Sequence, residues 1–185
     1  MAHSICPWWL GYVLAHPVRR LWHNPVEILR PFVADGMVVL EPGCGMGFFT
    51  IELARLVGPR GRVVAVDVQP RMLNGLRRRA RRAGLLDRID ARLVQPEGLG
   101  VDDLDGRVDF GLAFAMVHEL PDQERFFAQV HRALKPAEAL LVAEPRGHVT
   151  EEAFAATLAT AAKAGFVAEG GPAIRSSRTA VLTRA

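Results

Sequence analysis

Residues 38–50 read Val-Val-Leu-Glu-Pro-Gly-Cys-Gly-Met-Gly-Phe-Phe-Thr, and this stretch limits the folds open to the chain more than any other. Three apolar residues end in an acid, Glu41, and glycines then stand at 43, 45 and 47. Phe48, Ile51, Leu53, Ala54, Leu56 and Val57 follow at helical spacing. A buried strand, a tight glycine turn and a helix are the pieces from which α/β sheets build a nucleotide crevice. Glycine lets the backbone pass close to a ligand without a Cβ between them. The free N–H groups at the helix start then face an acceptor such as a carboxylate.

The remaining chain alternates in the same way. Strands are predicted over 37–41, 62–67, 90–94, 108–114 and 139–143, and helices over 48–57, 70–83, 122–134 and 150–164. Gly84 stands where a helix ending at residue 83 places its C-terminal glycine, and Thr150 stands where a cap belongs. A polar loop with a short helix is expected over 97–106, and two closing β segments over 166–169 and 178–183. Strands alternating with helices imply a mostly parallel sheet covered on both faces. Residues 1–35 precede the first strand and read as a helical cap, with a short helix over 8–15 and another opening at Asn24-Pro25. Neither repeats nor a composition shift marks a second large domain.

The spacing Glu41-x-Gly43-x-Gly45-x-Gly47 departs from the G-x-G-x-x-G of dinucleotide folds. It resembles the first motif of the class I methyltransferases that use S-adenosylmethionine (SAM), and the element order over residues 36–185 resembles that family throughout. The chain is most similar to the branch described as methyltransferase type 11 or ubiquinone-methyltransferase-like. The resemblance implies an α/β fold, a Rossmann-like three-layer sandwich, whose seven-stranded, mostly parallel sheet carries a C-terminal antiparallel hairpin. It implies a cap over 1–35, a SAM-binding domain over 36–185, and a product, S-adenosylhomocysteine.

Cofactor contacts are expected from Glu41, Gly43, Cys44, Gly45 and Gly47, with Cys44 a small packing residue rather than a nucleophile. Asp67 closes the second strand 20 residues beyond Gly47, where an acid accepts from ribose hydroxyls, and Val68 follows to pack on adenine. Gln95 stands where the family shows an Asp facing the adenine amino group, flanked by Pro96 and Glu97. The resemblance also implies that Phe114 and Ala115 border the methionine half of SAM. His118 and Glu119 are the candidates for chemistry, since a near-neutral imidazole takes a proton from an acceptor as the methyl arrives. Glu144, Arg146 and His148, at and just beyond the fifth strand's end, are expected to rim the acceptor side. Leu134-Lys135-Pro136 matches the family's Leu-Lys-Pro-Gly-Gly, but Ala137-Glu138 replace the glycines.

Composition narrows the partners. A chain of 185 residues, half hydrophobic and about a quarter charged, suits one soluble globular domain. No apolar run approaches a membrane span, and the apolar stretch at Trp8–Leu14 is broken by Pro7 and Pro17, unlike a signal peptide. Two cysteines make no disulfide framework, so a cytoplasmic setting is expected. His3, Cys6, His16 and His23 do not fit a zinc spacing, and no metal is expected. Arg77, Arg78, Arg79, Arg81 and Arg82 wrap a helix and leave an RNA methyltransferase open as an alternative, although the Asn/Asp-Pro-Pro-aromatic sequence of base-methylating enzymes is absent. A non-catalytic SAM-binding module is the other alternative. The favoured reading is methyl transfer to a small acceptor, by a monomer or homodimer. The aromatic cap residues Trp8, Trp9, Tyr12 and Trp22 point to an apolar or aromatic acceptor.

Overall fold

The computed structural model describes residues 7–9, 11, 15, 16, 18, 19, 23–96 and 98–185. Most of the expected helix over 8–15 therefore lies outside the described residues, as do His3, Cys6, Tyr12, Trp22 and Glu97. Among the described residues seven strands form one sheet in the order β3-β2-β1-β4-β5-β7-β6. The chain divides into two compact units, residues 4–95 and residues 96–185.

The first unit holds α1 (Pro25–Leu29), β1 (Val38–Pro42), α2 (Thr50–Leu56), β2 (Arg62–Asp67), α3 (Pro70–Ala83) and β3 (Ile89–Leu93). The Asn24 side chain accepts the Val26 N–H at 3.2 Å and Pro25 occupies the first turn, so α1 starts where its sequence directs. β1 and β2 pair in parallel with Leu40 opposite Val64, and β2 pairs in parallel with β3. Val39, Leu40, Val63, Val64 and Ala65 are buried, as expected for β-branched strands covered on both faces. α3 buries Met72, Leu73, Leu76 and Ala80, each buried leucine contributing about 1.5–3 kcal/mol, and stops at Gly84 in the left-handed conformation (φ 67°).

Six arginines share the rest of α3, but they are not one free cationic surface. Arg77 donates to the Ala91 carbonyl at 2.8 Å, Arg79 to the Met46 carbonyl at 2.6 Å, and the Arg71 guanidinium lies 4.4 Å from the Trp8 ring centroid. These contacts fasten the helix to β3, to the glycine loop and to the N-terminal segment.

The second unit holds β4 (Val108–Phe114), α4 (Gln123–Ala133), β5 (Leu134–Pro145), α5 (Glu151–Lys163), β6 (Phe166–Gly170) and β7 (Ser177–Arg184). β4 and β5 are parallel, while β7 runs antiparallel to both β5 and β6. Asp122 and Thr150 cap α4 and α5 by accepting the N–H of Arg125 and Ala153.

Most predicted elements match within two residues, but β5 begins at Leu134 rather than 139. Val108 pairs with Leu134 and Phe110 with Ala139, so residues 135–138 form a long bulge opposite Asp109. Lys135 ion-pairs with Asp109 across it, and the Leu134 carbonyl accepts from Arg184. Ala137 sits in this bulge at φ 63°, the position of the first glycine in Leu-Lys-Pro-Gly-Gly. A left-handed alanine is strained by roughly 1–2 kcal/mol. Ala137→Gly should therefore stabilise the protein by about 0.5–1 kcal/mol after the glycine's extra chain entropy is counted, raising Tm by about 1–4 °C. A calorimetric scan showing an unchanged or lower Tm would contradict this assignment of strain.

Candidate active site

The glycine loop is held in place by contacts within the protein. Gly43, Gly45 and Gly47 all have positive φ (67°, 54° and 79°). A Cβ at Gly47 would come within 2.3 Å of Leu76, so this glycine admits the close approach of α3. Gly45 differs: a Cβ there would meet nothing within 4 Å, so its backbone faces open space. Met46, between them, packs against Gly75 and Gly11, which brings the N-terminal segment against the loop. Arg19 from the same segment stacks 4.5 Å from the Phe48 centroid, and burial lowers its guanidinium to about 10.

Two acids flank this loop. Asp67, 8% exposed, accepts the Gly45 N–H at 2.9 Å through Oδ2 and the Gln69 N–H at 2.8 Å through Oδ1. Each carboxylate oxygen has a second lone pair, so Asp67 can brace the loop and accept from a hydroxyl as well. Glu41, 4% exposed at the end of β1, is less well provided for. Its Oε2 and the fully buried Thr50 hydroxyl make no hydrogen bond of ordinary length among the described residues. Burial pushes the Glu41 carboxyl up to about 8; the nearby Thr50 hydroxyl opposes the shift and the Asp67 charge adds to it.

Cys44 is buried beside these acids. Burial first, then the charges of Glu41 and Asp67, raise its thiol well above the usual range. A thiol in that setting is inert, in keeping with a packing role. Val68 follows Asp67 half-buried. The Val94 N–H donates to the Asp67 carbonyl at 3.2 Å, which keeps the chain leading to Gln95 beside the end of β2. Gln95 and Pro96 are exposed.

In the second unit, β4 ends in half-buried Phe114 and Ala115, and Ala115 has φ 54°, a conformation that a non-glycine residue rarely adopts. The turn leads into a single 3-10 turn, Val117–Glu119. Its organiser is Glu144, which the sequence placed on the acceptor rim but which is only 1% exposed. Oε1 of Glu144 accepts the N–H of Met116 at 3.2 Å and of Val117 at 2.8 Å, and Oε2 is hydrogen-bonded to His118 Nδ1. The hydrogen bond that His118 donates to Glu144 raises the His118 pKa above 6.5; partial burial opposes it, and the charges of Glu144 and Glu119 add to it. Glu119 Oε1 lies 3.9 Å from His118 Nε2, and the His148 ring meets the His118 ring edge-on at 5.8 Å between centroids. Arg146 instead turns to the Ser177 carbonyl at 3.1 Å. The buried role of Glu144 was not legible, because an acid at a strand end reads the same whether it faces a ligand or the adjoining loop.

Residues 34–172 match the family described as a methyltransferase domain. The ubiquinone/menaquinone biosynthesis C-methyltransferase UbiE of Enterobacter sp. (strain 638) is 30% identical over 135 residues, covering 71% of this chain and 51% of that protein. The chain thus spans about half the length of the curated relatives it matches. A SAM-dependent methyltransferase from Aquifex aeolicus superposes with a TM-score of 0.85 at 24% identity, over 97% of this chain and 98% of that one. A SAM-dependent O-methyltransferase from Thermotoga maritima gives 0.69 at 18% identity, over 87% and 64%. These two likenesses concern the fold. With the match over residues 34–172, the glycine loop and the seven-stranded sheet, the chain belongs to the class I SAM-dependent methyltransferase family.

Proposed function

We propose that this chain binds SAM at the glycine loop of its first unit and transfers the methyl group to a small-molecule acceptor by direct displacement. The observation that carries the reading is the Glu41 carboxyl, buried, with no hydrogen bond of ordinary length at Oε2 among the described residues, and set next to a loop whose Gly45 backbone faces open space. A buried polar atom left unmatched costs about 1–3 kcal/mol. A ligand that brings an ammonium or a hydroxyl removes that cost, and SAM carries both kinds of donor. Asp67 and Val68 would hold the ribose and adenine, and Gln95 and Pro96 would border the base. When bound, SAM supplies a methyl group already activated for displacement.

The protein's task is then to bind, to orient and to exclude water. Phe114 and Ala115 are proposed to border the methionine half. His118 is proposed as the base that takes the acceptor's proton at Nε2, with Glu119 beside that nitrogen. An RNA acceptor is disfavoured because Arg71, Arg77 and Arg79 are engaged within the protein rather than presented as a groove. Among the described residues no helix is long and apolar enough to cross a membrane.

Titration calorimetry with SAM, S-adenosylhomocysteine and NADH tests the cofactor. Both sulfur nucleosides should bind at micromolar concentration, and Asp67→Ala should weaken them about 10- to 100-fold, the worth of hydrogen bonds to a charged group. Binding of NADH alone would overturn the reading.

A second expectation concerns the free protein. The native Glu41 carboxyl at about 8 lies above its ordinary 4.5, so folding favours the protonated form. Its contribution is fully present below 4.5 and is lost as pH rises towards 8. Denaturant unfolding without ligand should show Glu41→Gln more stable than wild type above pH 8. The gap should narrow as pH falls towards 4.5. Equal stability of the two proteins at pH 9 would show that Glu41 is not buried in this way.

A further inference from the structure

The strongest unassigned feature is the Glu144 carboxylate, which no expectation for the cofactor or the acceptor uses in its buried position. It lies at the end of β5, 1% exposed, and three groups converge on it from one short turn. Oε1 takes the Met116 and Val117 N–H groups, and Oε2 takes His118 Nδ1. The turn is further tied by the Gln123 side chain, whose Nε2 donates to the Val117 carbonyl at 3.1 Å. Ala115, just before it, is held in a left-handed conformation and donates to the Ala143 carbonyl at 2.7 Å. Strain of that kind persists only where the surroundings over-determine it.

A carboxylate that accepts two backbone N–H groups can only accept from the ring as well, so the proton of neutral His118 must sit on Nδ1. The other nitrogen, Nε2, is then the one with a free lone pair. We propose that Glu144 is the positioning residue for His118: it fixes the ring's orientation and its Nδ1–H tautomer, so that Nε2 is the basic nitrogen presented for proton transfer. This rests on the reading of His118 as the base of a methyltransferase. The proton balance is simple. The acceptor X–H gives its proton to Nε2 as X gains the methyl, and the imidazolium so formed lies against the Glu144 carboxylate. A base of this kind serves acceptors whose accepting atom carries a proton. Among the described residues, the charged or titratable groups facing the ring are Glu144 from β5, Glu119 from its own turn and His148 from the loop after β5.

The test is nitrogen-15 NMR of the His118 imidazole across a pH series, in wild type and in Glu144→Gln, with SAM calorimetry on the same samples. Expected for wild type is a neutral ring protonated on Nδ1, titrating above 6.5. In Glu144→Gln the midpoint falls and the tautomer signals mix, because an amide does not discriminate between the ring nitrogens as a carboxylate does. A wild-type ring protonated on Nε2 overturns the proposal without any variant, which keeps it testable if Glu144→Gln does not fold. An unchanged midpoint and tautomer in the variant also overturns it. A merely structural Glu144 would alter stability and leave the tautomer alone. If the imidazole behaves as expected but neither SAM nor S-adenosylhomocysteine binds, the methyltransferase reading fails, and the role of Nε2 as its base fails with it.

Discussion

Burying the Glu41 carboxyl without a full set of partners is the constraint on which the first unit depends. A carboxyl at the end of β1 is held out of water beside a second acid, Asp67, and beside a cysteine whose thiol cannot relieve either of them. The surrounding parts pack closely on it. α3 clamps Met46 through Gly75 and Arg79, Leu76 fills the space that Gly47 leaves, and Asp67 fastens the Gly45 N–H.

The second unit solves a related problem differently. Glu144 is as buried as Glu41, yet every contact it needs comes from the turn at residues 116–118. One carboxyl therefore keeps an oxygen without a partner of ordinary length among the described residues, and the other accepts at both oxygens, one of them from a histidine ring. This contrast assigns different work to two acids that look alike in sequence, each standing at the end of a parallel strand.

Sequence reading located the fold because the signals were local. Residues 62–67 and 108–114 alternate or run apolar as strands must, Gly84 and Thr150 mark helix ends, and the glycine loop has its own spacing. The start of β5 was missed because Lys135-Pro136-Ala137-Glu138 has turn composition; only the pairing of Val108 with Leu134 makes it a bulge within a strand. Among the site candidates, Glu41, Asp67 and the glycines could be placed by spacing, and Glu119 and His118 by neighbourhood. The environment of each could not. Whether an acid is left short of partners at one oxygen, as Glu41 is, or accepts at both, as Glu144 does, depends on donors distant in sequence. The arginines of α3 show the same limit, since three of them are spent on the Trp8 ring and on the carbonyls of Met46 and Ala91.

The central claim is that a cationic or hydrogen-bonding ligand completes the Glu41 site, and proton release on binding reads it directly. SAM titrations at pH 7 in two buffers of different ionisation enthalpy give the number of protons exchanged. With Glu41 near 8 in the free protein, a ligand whose ammonium settles against this carboxyl draws it to the charged form. Wild type should then release close to one proton per SAM bound, and Glu41→Gln should lack that release. Binding of SAM by wild type with no proton released, or with equal release from Glu41→Gln, would mean that Glu41 does not meet the ligand and that the account of this site is wrong.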